Sequence, residues 1–183
     1  MKNSRDITLI VVFAVLDLVL MVLIAQVPQL ITGIFGITYV FTIFYAISSS
    51  IALLMYEGRR WRRFTQSLLF SLIALFLVAA WTPITAIAFP LSYFILDVIF
   101  NSVYGFFKEK NKLIWWAILS QVVYWIISPL WLLLFTSFSF SFQAVLTNWF
   151  IPIFSVMLPI MIIEAVAGGY IGYKIYRRVE KLA

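Results

Sequence analysis

All thirteen lysines and arginines of this chain fall into four short clusters, and the long stretches between the clusters contain no basic residue. The clusters are Lys2 and Arg5; Arg59, Arg60, Arg62 and Arg63; Lys108, Lys110 and Lys112; and Lys174, Arg177, Arg178 and Lys181. Each interval is long enough to cross a bilayer and return. The tightest, Phe64 to Phe107, fits two helices of roughly 20 residues joined at Thr82-Pro83. The spacing predicts six transmembrane helices: Ile7 to Val27, Tyr39 to Tyr56, Phe64 to Trp81, Ala86 to Phe107, Leu113 to Phe135, and Trp149 to Tyr176. The positive-inside rule then puts all four clusters and both termini in the cytoplasm. The opposite connections, around Gln26 to Thr38, Thr82 to Thr85 and Thr136 to Asn148, carry no charge at all.

Composition points the same way. Apolar residues make up 64% of the chain and charged residues 11%, with a mean hydropathy of +1.08. A water-facing surface of that make-up would aggregate, so the expected solvent is lipid. The expected fold is an all-α integral membrane bundle, one transmembrane domain over residues 1–183, multi-pass in the cell membrane. The first apolar segment follows a basic start, as a secretory signal would. It is too long for an h-region and ends in Ala25-Gln26-Val27-Pro28 without a small-x-small cleavage site, so it is predicted to stay as helix one.

The sequence contains neither cysteine nor histidine. That removes the usual ligands of zinc, haem, copper and iron-sulfur clusters, and with them disulfides, thiol nucleophiles and His-based triads. No metal and no cofactor is expected. The pI near 9.7 raises the question of nucleic acid. Basic clusters flanking long apolar runs fit the anionic cytoplasmic face of a bilayer instead, and no nucleic-acid partner is expected. Trp81, Trp115, Trp116, Trp131 and Trp149 lie near predicted helix ends, where indoles favour the headgroup layer. Phe135 to Phe142 alternates aromatic and hydroxyl residues with period two, which fits an extended strand across the outer surface, capping a pocket, or a plain interfacial loop.

Three carboxylates fall inside predicted helices: Asp17, Asp97 and Glu164. An acid at the bilayer centre costs about 2.5 to 3.5 kcal/mol on insertion scales, so such residues usually face the bundle interior and serve a site. Counted from Arg5, Lys108 and Lys174 at about 1.5 Å per residue, all three lie roughly 15 to 18 Å from the cytoplasmic edge. With no basic residue inside any predicted helix apart from Lys174 at the very end of the sixth, each must be protonated, hydrogen-bonded, or paired with a cation from outside.

Two polar stripes accompany them. Tyr93, Asp97, Asn101 and Tyr104 recur at helical spacing on helix four, and Gln121, Tyr124, Trp125 and Ser128 do so on helix five. An amide, carboxylate and aromatic wall suits a planar polar small molecule, and Tyr124 or Trp125 adds cation-π attraction if it is charged. Interhelical hydrogen bonding is the plainer account of the same stripes. Helix six brings Asn148, Pro152, Pro159 and Glu164, then the small-residue pairs Ala165 with Gly169 and Gly168 with Gly172, spacings that permit close helix contact. The candidate ligand-binding set is Tyr93, Asp97, Asn101, Gln121, Tyr124, Trp125, Asn148 and Glu164, with Gln26, Gln29 and the Phe138 to Phe142 segment as caps.

No enzymatic activity is expected. Neither Asp17 nor Asp97 has the Gly-x-Gly-Asp context of intramembrane aspartyl proteases, and no diphosphate-binding acidic motif, Gly-x-Ser-x-Gly elbow or phosphate-binding glycine loop is present.

The chain resembles the substrate-binding S components of energy-coupling-factor (ECF) vitamin transporters. The likeness covers the whole chain in topology and its two ends in sequence: the lead Lys2-Asn3-Ser4-Arg5-Asp6-Ile7-Thr8, and the Gly-rich sixth helix with basic tail, Ala167 to Arg178. The resemblance implies capture of a vitamin or precursor in an outer-side pocket formed by helices four to six. It also implies a transmembrane coupling subunit and two cytosolic ATPases as partners, the S component toppling in the membrane to release its cargo. One departure concerns helix one, where many members carry an Ala-x-x-x-Ala docking surface: here Ala14 is followed by Leu18. Ala46, Ser48, Ser50 and Ala52 offer a small-residue surface on helix two instead. The lack of histidine argues against the family's metal-binding branch. The alternative is a solo proton- or cation-coupled small-molecule carrier with Asp17, Asp97 and Glu164 as its ion path; a tryptophan-rich sensory or porphyrin-binding protein and an intramembrane enzyme rank below it.

Overall fold

The computed structural model describes residues 2–27, 42–77, 83–138 and 141–182. They form α1 (Lys2–Leu20), which loosens into a π-helical turn over Met21–Gln26, then α2 (Thr42–Met55), α3 (Arg62–Leu77), α4 (Pro83–Glu109), α5 (Leu113–Thr136) and α6 (Ile151–Leu182). A single helical turn at Phe142–Val145 and a π-helical stretch at Leu146–Phe150 lead into α6. The described part of the chain is helical throughout, joined by short turns. Four helices are long and apolar enough to cross a membrane: Ser4–Ile24, Ala86–Glu109, Leu113–Phe135 and Ile151–Lys181. The apolar α2, Thr42–Met55, is shorter.

The extended strand expected at Phe135 to Phe142 does not form among the described residues. Phe135 and Thr136 end α5, and Ser141 caps the next helical turn by accepting from Ala144 N, while Ser139 and Phe140 lie outside the described residues. A helix-capping serine outweighs a period-two pattern here, because it satisfies a free N–H that a lone strand would leave open.

The helices close into a ring. α1 packs on α3, α3 on α4, α4 on α5, α5 on α6, α6 on α2, and α2 returns to α1 while also touching α5. Within it an apolar core also encloses polar groups, while large apolar side chains stand outside. Asp6, Asp17, Arg63, Gln66, Ser67, Ser92, Asp97, Ser120 and Gln121 are buried, whereas Phe76, Leu77, Leu130, Val156 and Ile163 stand exposed. Buried polar groups beneath an apolar exterior are compatible with lipid as the surrounding medium.

The tightest seam joins α2 and α6, which run parallel. A Cβ added at Gly168 would overlap Ala46 Cβ and lie 2.9 Å from Ile43 O, and one at Gly172 would lie 2.7 Å from Ser50 Cβ. Gly169 faces α5, where a Cβ would come 2.7 Å from Ile118 Cα. The small-xxx-small spacing therefore serves two neighbours of α6 at once. This corrects one expectation: Ala46, Ser48, Ser50 and Ala52 do not form an outer docking surface, because all four are buried inside the bundle. Trp116 likewise points inward rather than to a headgroup layer; its Nε1 donates to Phe100 O at 2.8 Å, tying α5 to α4. Trp115, its neighbour, is exposed.

Candidate functional site

Burial along α1 follows helical spacing: Asp6, Ile10, Phe13, Ala14, Asp17 and Met21 all face inward. α3 presents Arg63, Gln66, Ser67, Phe70, Ser71 and Ala74 in the same way. Where these stripes meet, Asp17 becomes the hub of a polar network. Its Oδ1 accepts from Ser48 Oγ at 3.0 Å, and its Oδ2 from Arg63 Nη1 at 3.0 Å and Gln66 Nε2 at 2.8 Å. Gln66 Oε1 in turn accepts from Tyr56 OH at 2.8 Å. Arg63 Nη2 donates to Tyr93 OH at 2.8 Å, and its guanidinium carbon lies 4.1 Å from the centre of that ring. Tyr93 stacks on Tyr124 with centroids 4.3 Å apart, which carries the network into α5.

Apart from Lys174, the sequence led us to expect no basic residue inside a helix, and Arg63 overturns this. α3 begins at Arg62, two residues before its expected start. The turn before it passes through left-handed backbone at Glu57, Gly58 and Trp61, with φ of 52°, 74° and 69°. That turn folds the arginine cluster back onto the bundle: Arg59 and Arg62 pair with buried Asp6, and Arg63 enters to meet Asp17. A buried acid without a partner would be far costlier, so the cluster divides between anchoring and charge compensation.

The other two acids serve helix starts. Asp97 Oδ2 accepts from Phe64 N at 2.8 Å, in the first turn of α3, while its Oδ1 accepts from Asn101 Nδ2 at 2.8 Å. Asn101 Nδ2 also reaches Arg59 O at 3.3 Å, fastening the turn before α3. Glu164 Oε2 accepts from Ile43 N at 3.2 Å and from the Thr42 hydroxyl, in the first turn of α2. Both carboxylates thus sit where a helix offers free N–H groups and the positive end of its dipole, each supplied by a neighbouring helix.

The three acids do not share one depth. Glu164 is level with Thr42 and Asp17 with Ser48, which at about 1.5 Å per residue puts them roughly 9 Å apart along α2. Asp97 lies further on, beside the turn that follows α2. Counting from Lys108 misplaces Asp97 because α4 runs on to Glu109, well past the start of α3.

On α5, Gln121 and Trp125 share a face. Gln121 Nε2 donates to Ser120 Oγ at 3.4 Å, but Gln121 Oε1 and Trp125 Nε1 are buried with no hydrogen-bond partner among the described residues. Trp125 stands edge-on to Tyr124 and to Tyr45 of α2, with centroids at 5.1 and 6.4 Å. Asn148 is exposed in the π-helical stretch before α6, where Thr147 Oγ1 approaches its Oδ1 at 3.4 Å. Of the expected caps, Gln29 and the side chain of Gln26 lie outside the described residues, and Phe138 and Phe142 are exposed.

The structure therefore brings the eight candidates into three places. Tyr93, Asp97, Asn101 and Tyr124 belong to the network around Arg63 and the start of α3. Gln121, Trp125 and Glu164 belong to the helices α5, α6 and α2. Asn148 stands apart on the surface. No family model, curated protein or solved structure matches this chain. Arg63, Gln66, Ser48 and Asp6 were missed from the sequence. For Arg63 and Gln66 the signal was the spacing of Arg63, Gln66, Ser67, Phe70, Ser71 and Ala74, which marks one polar-to-small face of α3.

Proposed function

We propose that this chain is a membrane-embedded substrate-binding subunit of the ECF-importer kind, crossing the bilayer six times with its basic clusters and both termini in the cytoplasm. Its cargo is a vitamin or related small molecule. A transmembrane coupling subunit and two cytosolic ATPases supply the energy, and the chain itself catalyses nothing. The observation that carries this reading is the difference between two parts of the bundle. Toward the basic ends each buried acid is held: Asp6 by Arg59 and Arg62, Asp17 by Arg63, Asp97 by the start of α3. On α5 the Gln121 acceptor and the Trp125 donor keep unused hydrogen-bonding capacity among the described residues, while Glu164 of α6 is held at the start of α2. Buried polar groups normally find partners, so a donor and an acceptor four residues apart on one helix face suit a bound polar, planar molecule.

The solo-carrier alternative gains no support from the geometry. Its path would run through Asp17, Asp97 and Glu164, which have different partners at different depths, and Asp17 is already paired with Arg63.

Native mass spectrometry of the detergent-purified chain tests the reading. A co-purified small molecule is expected, with Trp125→Ala weakening its binding at least about tenfold, or 1.4 kcal/mol. Uptake by the chain alone in proteoliposomes, driven by a proton gradient without ATPases, would establish the carrier instead. Because the chain has no native cysteine, single replacements report topology directly. Arg60→Cys and Lys110→Cys should resist an impermeant thiol reagent from outside, whereas Ser137→Cys should react.

A further inference from the structure

The turn between α2 and α3 carries one arginine that the acid network does not use. Arg59 and Arg62 are spent on Asp6 and Arg63 on Asp17, while Arg60 is exposed and makes no ion pair among the described residues. Arg60 instead borders a cleft of about 370 Å³ lined also by Trp61, Asp97, Val98 and Ser102. The cleft opens on the outside of the bundle, since Val98 and Ser102 are exposed beside it on α4. Trp61 stands half exposed at its edge, held in left-handed backbone at φ 69° and packed on Phe94 with centroids 5.5 Å apart.

A cation and a carboxylate thus line one cleft without pairing with each other. Asp97 accepts from Phe64 N and Asn101 Nδ2, with the Arg63 backbone N–H also against it, and a carboxylate has room for one further donor. A purely anionic guest would meet Arg60 but be repelled by Asp97, and a purely cationic guest would meet the reverse. The complementary guest carries an anion and a hydrogen-bonding cation a few atoms apart. The setting narrows this further. The cleft opens toward the apolar exterior at the basic ends of the bundle, beside an indole, where lipid headgroups are expected.

We propose that this cleft is a binding site for the headgroup of an ethanolamine phospholipid, with the phosphate on Arg60 and the primary ammonium donating to Asp97. Trp61 covers the glycerol region, and the acyl chains run along Val98 and its exposed neighbours. The inference rests on the membrane-spanning reading above and not on the identity of any cargo.

The test uses the full-length chain in mixed micelles with equal amounts of phosphatidylethanolamine, phosphatidylcholine and phosphatidylglycerol, with retained lipid read by native mass spectrometry. Phosphatidylethanolamine should be retained over the other two by about tenfold, since choline cannot donate a hydrogen bond and glycerol brings no cation. Arg60→Gln should lower retention of both zwitterionic lipids, and Asp97→Asn should erase the preference of ethanolamine over choline. If Asp97→Asn does not fold, Val98→Trp, which fills the mouth from an exposed position, should lower ethanolamine-lipid retention by a similar factor. Equal retention of all three lipids, a preference for phosphatidylglycerol, or an unchanged preference in the variants would overturn the site. Release of the chain from membranes by alkaline carbonate would instead overturn the membrane reading, so the two failures are separable.

Discussion

Arg63 of α3 and Asp17 of α1 form a 3.0 Å ion pair in which neither side chain reaches the surface. The pair is the junction of the buried network, because the same arginine also holds Tyr93 and the same aspartate also holds Ser48 and Gln66. Removing one partner leaves the other charge stranded, at a cost of about 3–5 kcal/mol, whereas removing both avoids that penalty. Asp17→Asn and Arg63→Gln should each lower the unfolding midpoint in detergent sharply, and the double variant should lose much less than their sum. Strict additivity would mean that the two are not coupled.

Each capping acid should protect its own helix start. Asp97→Leu leaves Phe64 N without its acceptor, and Glu164→Leu does the same to Ile43 N. Amide hydrogen exchange should quicken by roughly tenfold in the first turn of α3 for the former and of α2 for the latter, a loss of about 1.4 kcal/mol in each case. Uniform acceleration over both helices in either variant would contradict this division of labour.

The glycines of α4 and α6 predict opposite responses to one added methyl group. At Gly168 a Cβ meets Ala46 and the Ile43 carbonyl, while at Gly105 nothing lies within 4 Å. Gly168→Ala should separate α2 from α6 and cost on the order of 1–3 kcal/mol. Gly105→Ala should stabilise by about 0.5–1 kcal/mol through reduced backbone freedom. Thermal unfolding of the two variants side by side checks the contrast.

Gln121 separates stability from binding. Its Oε1 is buried without a partner among the described residues, so Gln121→Leu removes an unmet acceptor and should raise stability by about 1 kcal/mol. On the proposed reading, in which the amide is the polar contact to the cargo, the same change should weaken cargo binding about tenfold. A variant that gains stability and keeps full affinity would remove Gln121 from the binding face.

The architecture was largely legible from charge placement. Four basic clusters and the lengths between them mark six longer helices, and the described residues form six, four of them long and apolar enough to cross a membrane. The polar network was half legible. Asp17 and Asp97 stood out as acids in apolar runs, but their partners did not, since Arg63 reads as one more member of a surface cluster until the Glu57–Gly58 turn is seen to fold it inward. The capping roles of Asp97 and Glu164 were not legible, because the N–H groups they meet belong to distant segments: Glu164 and Ile43 are 121 residues apart. Asp6 was overlooked because it lies between Arg5 and Ile7 at the chain's start, where an acid looks solvated rather than buried.

The α2 and α6 seam also bears on how the chain is made. Gly168 and Gly172 belong to α6, which is synthesised well after α2, yet the surfaces they cover are at Ala46 and Ser50 of α2. Until α6 arrives, the serines of α2 have only part of their final surroundings. The α2 face therefore stays open until α6 has been made, and this seam closes late rather than growing steadily from the first helix.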